Sequence, residues 1–95
     1  MQRSYQLLDL LQRYQSWALG ATRSGSLARL VELVFVRPVI SIANVEGWLG
    51  VTHPAASRLV AQMVDAGILI EVTGRRRDRR FAAREILEII NPPDE

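Results

Sequence analysis

The 95-residue chain has no cysteine, no lysine and one histidine. Without cysteine there is no disulfide framework and no thiolate metal site. The chain fits a reducing cytoplasm, where we expect it to act. With a single histidine, a metal site would have to be built from carboxylates, and no carboxylate spacing suggests one. Neither a cofactor nor a metal is expected. Long apolar runs are also missing. The longest span a few residues, against the roughly 20 that a membrane helix needs, so no membrane partner is expected. Aromatics make up only 6% of the residues. No glycine-rich phosphate loop is present, and Ser57 has no general base in view, so nothing supports a catalytic residue.

What the chain does have is 48% apolar residues, ample for one small core. Its formal charge is +2. That value hides a strong asymmetry. Gly74-Arg75-Arg76-Arg77-Asp78-Arg79-Arg80 carries five arginines and one aspartate, a net +4, so the rest of the chain is −2. All basic residues are arginine, including several outside any pattern, so the missing lysine reflects a chain-wide bias. The run itself is a concentrated positive footprint of the kind that meets phosphate.

Periodicity organises the remainder. Leu7, Leu10, Leu11, Tyr14, Trp17 and Ala18 recur at spacings of three and four, which predicts a helix over residues 6–18. Gly20 and Thr22–Ser26 read as a connector, with Ser24 or Ser26 as the next helix cap. A helix over residues 27–36 buries Leu27, Leu30, Val31, Val34 and Phe35, and Pro38 stops it. Val39-Ile40-Ser41 suits a brief strand. Residues 42–49 form a short helix, closed by Gly50 in a left-handed turn. Thr52 caps the third helix of the domain that starts at residue 26, with Pro54 in its first turn, extending to about Ala66 and burying Ala56, Leu59, Val60 and Met63. Residues 68–73 and 79–82 flank the arginine run as a hairpin. A final helix over residues 84–90 buries Ile86, Ile89 and Ile90.

This order defines the expected fold: mainly α with a small antiparallel sheet. It is a winged helix–turn–helix over residues 26–95, preceded by an amphipathic helix and connector over residues 1–25. On the third helix of that domain Thr52, His53, Ser57, Arg58 and Gln62 should face outward, as the residues that enter a major groove. Arg58 can donate twice to a guanine edge and Gln62 can pair with adenine. Thr52 and the backbone N–H groups beside it can hold a phosphate. Arg75, Arg76, Arg77, Arg79 and Arg80 on the wing would meet phosphates or reach into the minor groove. Double-stranded DNA is therefore the expected partner. Each residue also has a plainer reading as solvated surface, and His53 as an ordinary helix-start residue. Trp17 and Trp48 lie on apolar helix faces and read as packing. Arg84 and Glu88 read as an exposed i,i+4 pair.

Leu30 to Ser41, Gly50-Val51-Thr52-His53-Pro54-Ala55-Ala56-Ser57-Arg58-Leu59, Ala66-Gly67-Ile68-Leu69 and Thr73 to Phe81 together resemble the winged-helix domain at the C-terminus of many bacterial Fic-family proteins. The resemblance covers residues 26–90. Its most discriminating parts are Arg37-Pro38-Val39 and the Thr73-Gly74-Arg75-Arg76-Arg77 wing. It implies a regulatory DNA-binding module attached to a nucleotide-transferring Fic core. That core is absent here. Its catalytic loop reads His-Pro-Phe, whereas His53-Pro54 is followed by Ala55, so this chain is not expected to be an enzyme. A second departure is Glu46. The position four before the turn glycine is usually small because the helices cross there, and Gly47 is the alternative point of close approach.

The N-terminal stripe is wider than a small winged-helix core needs. It can fold back on its own domain, pair with a second copy, or pack on a Fic core. Self-association is the reading preferred here, since helix–turn–helix proteins commonly bind as dimers. The rival to DNA binding is a protein-interaction winged helix that dimerises or docks on a Fic core.

Overall fold

The computed structural model describes residues 2–22, 25–73 and 79–92. Five helices and a three-stranded sheet follow in order: α1 (Gln2–Ala21), α2 (Ser26–Val36), β1 (Val39–Ser41), α3 (Ile42–Leu49), α4 (His53–Asp65), β2 (Ile70–Glu71), β3 (Arg80–Ala82) and α5 (Arg84–Ile90). The sheet is antiparallel with order β1-β3-β2. This is the winged helix–turn–helix arrangement, mainly helical with a small sheet.

Local chemistry accounts for the element ends. Ser41 caps α3 in a reciprocal box: its Oγ accepts from the Asn44 N–H at 3.1 Å, and Asn44 Oδ1 accepts from the Ser41 N–H at 2.9 Å. Gly50 then adopts φ 65°, a left-handed conformation that side chains rarely take. Gly67, at φ 80°, follows α4 in the same way. The N–H groups of Ile68 and Leu69 both donate to the Met63 carbonyl. These two residues are therefore used to close the helix and enter the core, at 3% and 0% exposure. The hairpin strand is shorter than its β-branched sequence suggests for this reason. At the other end, α1 runs further than its apolar spacing indicates, because nothing in residues 2–5 breaks a helix and Gly20 is accommodated in the last turn. α2 begins at Ser26, which puts Gly25 and not Ser26 at the N-cap position.

One core joins the elements. Leu30, Val31 and Val34 of α2 meet Leu10, Tyr14 and Ala18 of α1, Val45 of α3, and Val60 and Met63 of α4 within a single buried cluster. The wide α1 stripe thus packs on its own domain, with Leu10, Tyr14 and Ala18 buried and Leu7 and Leu11 partly so. Trp17 and Trp48 pack partly buried against the same cluster. Tyr14 does two things there. Its ring meets Phe35 edge-on at 5.8 Å, and its hydroxyl donates to Glu85 Oε1 at 2.6 Å, tying α1 to α5. Burial, then the adjacent Glu85 carboxylate, raises the Tyr14 hydroxyl above the ordinary tyrosine range.

Two stability outcomes are expected. Leu30→Ala empties a fully buried position and should cost about 2–5 kcal/mol in denaturant unfolding. The raised Tyr14 pKa favours the protonated folded state. Its contribution is fully present below the unfolded tyrosine pKa of about 10 and declines as pH rises beyond it. Tyr14→Phe should flatten that alkaline decline in thermal melts across pH, and cost about 1 kcal/mol at neutral pH.

Candidate nucleic-acid interface

The core face of α4 determines what the helix presents outward. Ala56, Val60 and Met63 are buried. The opposite stripe, at spacings of three and four, is Pro54, Arg58, Ala61 and Asp65, running along the side of the helix away from the core. Ser57 and Gln62 flank it. The helix starts on Thr52, whose Oγ1 accepts from the Ala55 N–H at 3.3 Å. His53, in the first turn, places Nδ1 2.8 Å from Glu46 Oε2 of α3. The α3–α4 crossing therefore has a polar contact at its rim. Gly47 plays no part in a close approach, since a Cβ built there meets nothing within 4 Å. Val45 supplies the buried contact of α3.

The wing base is built from β2 and β3. Phe81 pairs with Ile40 on one side and Glu71 on the other, and is buried. Arg79 lies over its ring, with the guanidinium carbon 5.3 Å from the centroid. The same guanidinium grips Glu71: Nε donates to Oε2 at 2.9 Å and Nη2 donates to Oε1 at 2.7 Å. These hydrogen bonds hold the Glu71 carboxyl below the usual carboxylate range and raise the Arg79 pKa. Arg80 is exposed, and its N–H donates to Thr73 Oγ1 at 3.2 Å. The remaining candidate wing residues, Arg75, Arg76 and Arg77, lie outside the described residues.

Two grooves flank α4. One, of about 490 Å³, runs between the starts of α3 and α4 and the wing base, past Ser41, Asn44, Glu46, His53, Ser57, Arg79 and Arg80. The other, of about 430 Å³, runs between the outer face of α4 and the hairpin, past Pro54, Ser57, Arg58, Ala61, Asp65, Glu71 and Arg79. Ser57 and Arg79 line both. Of the residues expected from sequence, His53, Ser57, Arg58, Arg79 and Arg80 thus gather around these grooves, and Thr52 and Gln62 line neither.

Sequence reasoning noted Glu46 only as an irregularity of the helix crossing and missed Asp65 and Glu71. The described groove linings contain Arg58, Arg79 and Arg80 but also Glu46, Asp65 and Glu71, an even balance of charge. Asp65 was findable, seven residues after Arg58 and on the same helix stripe. Glu71 was findable only with the strand register. Elsewhere Arg84 and Glu88 form the expected exposed i,i+4 pair at 3.4 Å. Among the described residues no three His, Asp or Glu side chains converge on a metal position. No helix among them is long and apolar enough to cross a membrane.

A short helix, a left-handed glycine turn, an exposed second helix and a hairpin define a helix–turn–helix protein of the DNA-binding kind. The family model described as HTH DNA binding domain matches residues 27–85, and the chain belongs to that family. No curated protein matches the chain.

Two glycines three residues apart should respond oppositely to alanine. Gly50→Ala forces a side chain into the left-handed region and should cost about 1–2 kcal/mol. Gly47→Ala sits within α3 in open space and should stabilise by about 1 kcal/mol. Urea unfolding of both variants reads the signs directly.

Proposed function

We propose that this chain is a double-stranded DNA-binding winged helix with a regulatory role. The observation that carries the reading is the outward α4 stripe centred on Arg58, flanked by grooves that end at the wing base. α4 enters the major groove. Arg58 donates to a guanine edge there, and Gln62 and Ser57 make the flanking contacts. Thr52 and His53 lie where the helix start meets a phosphate. Because the described groove linings are balanced in charge, long-range attraction falls to the arginine run of the wing, Arg75, Arg76 and Arg77 with Arg80. The Fic resemblance suggests a place for the module beside a nucleotide-transferring core in a longer bacterial protein, acting in the cytoplasm.

Fluorescence anisotropy with duplex DNA across a salt series tests this. Binding should weaken steeply with salt. Replacing Arg75, Arg76, Arg77, Arg79 and Arg80 by Gln should flatten the log–log slope by up to about 0.9 for each phosphate no longer neutralised. Arg58→Ala should cost about 1–3 kcal/mol on a duplex the chain selects, and relax its preference at one base pair. Absence of binding at low salt, or equal binding without the wing arginines, overturns the reading.

A second reading is a protein-interaction module. Tyr5, Leu8 and Leu19, exposed at 75%, 52% and 71%, favour it, since they leave a second apolar set on α1 after the core is filled. Removing α1 would strip Leu10, Tyr14 and Ala18 from the core, so the informative variants keep the helix. If a homodimer forms there, replacing Tyr5, Leu8 and Leu19 by Gln should give a monomer in sedimentation equilibrium while leaving the melting temperature nearly unchanged. A wild-type chain that sediments as a monomer rejects the dimer form of this reading.

A further inference from the structure

The wing base holds an arrangement that DNA binding alone does not require. A guanidinium carries five N–H donors. Glu71 occupies one edge of Arg79, through Nε at 2.9 Å and Nη2 at 2.7 Å. The end edge, formed by Nη1 with the second hydrogen of Nη2, has no partner among the described residues. The buried Phe81 ring lies against the guanidinium. A carboxylate along one edge and a fixed ring on one face leave the group little freedom to turn. It is held where both grooves beside α4 meet.

The charge of the pair matters as much as its geometry. A free arginine here would attract any polyanion, whatever its sequence. Paired with Glu71, it contributes no net charge, and the carboxylate repels a loosely placed phosphate. What survives is direction: a fork of two parallel N–H groups, which rewards only an acceptor pair presented at the right place and angle.

Resting on the DNA-binding reading above, we propose that Glu71 is a positioning residue that turns Arg79 from a sequence-blind cation into an aimed DNA contact beside α4. The pair raises selectivity while lowering general affinity. Binding of random duplex and of discriminated duplex is thereby divided between two parts of one wing. The arginine run supplies attraction, and the wing base supplies choice.

The full-length chain is tested by anisotropy against a random-sequence duplex pool and against a duplex that the wild type selects from it, across a salt series. Glu71→Gln should tighten random-duplex binding several-fold and steepen its log–log salt slope by about 0.9, narrowing the preference for the selected duplex. The double variant E71Q/R79Q keeps the net charge of the pair. It should retain the wild-type salt slope on random duplex yet lose about tenfold of the preference. If E71Q melts before binding can be read, the swapped pair E71R/R79E restores the bridge and should behave as the double variant does. Unchanged random-duplex binding in E71Q, equal weakening on both duplexes, or a preference that survives in E71Q/R79Q overturns the proposal while leaving DNA binding intact. A wild-type chain that binds no duplex overturns the DNA-binding reading itself, and this inference with it.

Discussion

The fold turns on the burial of Phe81. Its strand is the middle one of three, paired to β1 through Ile40 and to β2 through Glu71. β2 has only two residues in the ladder, and a hairpin that small is not stable by itself in water. Anchoring the middle strand in the core supplies what the hairpin lacks. Directly after β3, the Ala83 N–H donates to the Pro38 carbonyl at 2.7 Å, fastening the hairpin to the segment before β1. The N-terminal half of the domain thus holds the wing in place, and the same ring that fills the core gives Arg79 a surface to lie on.

The helix–turn–helix was readable because its ends are written in single residues. Gly50 for the left-handed turn, Thr52 for the cap and Pro54 in the first turn leave little choice of boundary. The α4 core face followed from spacing alone, and with it the outward placement of Arg58. Tertiary use of a residue was harder to see. Ile68 and Leu69 look like strand residues by composition, but their N–H groups close α4 and their side chains fill the core. The wide stripe of α1 left its partner open in the sequence; in the fold Leu10, Tyr14 and Ala18 are buried in its own domain, and Leu7, Leu11 and Trp17 are partly buried against it. The Glu71–Arg79 bridge joins residues eight apart across a hairpin, and no local pattern encodes a register that the buried Phe81 sets.

Charge gives the surface a division that composition concealed. The chain as a whole is mildly basic, but the described linings around α4 carry as many carboxylates as arginines. Glu46 meets His53, Glu71 meets Arg79, and Asp65 shares the Arg58 stripe. A surface of this kind is a weak general attractor of polyanions and a demanding one for shape and hydrogen-bond pattern. Exposed ion pairs of this sort add little to stability.

The hydrogen bond from Tyr14 to Glu85 spans 71 positions of sequence. Contacts so distant must wait for the intervening chain to be made and ordered. During synthesis α1 emerges before its partners, and Leu10, Tyr14 and Ala18 meet first α2, whose Phe35 lies against Tyr14, and last α5. α5 is the last helix of the fold to leave the ribosome, and its arrival closes the clasp. The order of translation therefore leaves the α1–α5 contact open until the end of the domain has been made. That interval is the one in which a nascent chain of this design is most open to capture by a chaperone or by another copy of itself.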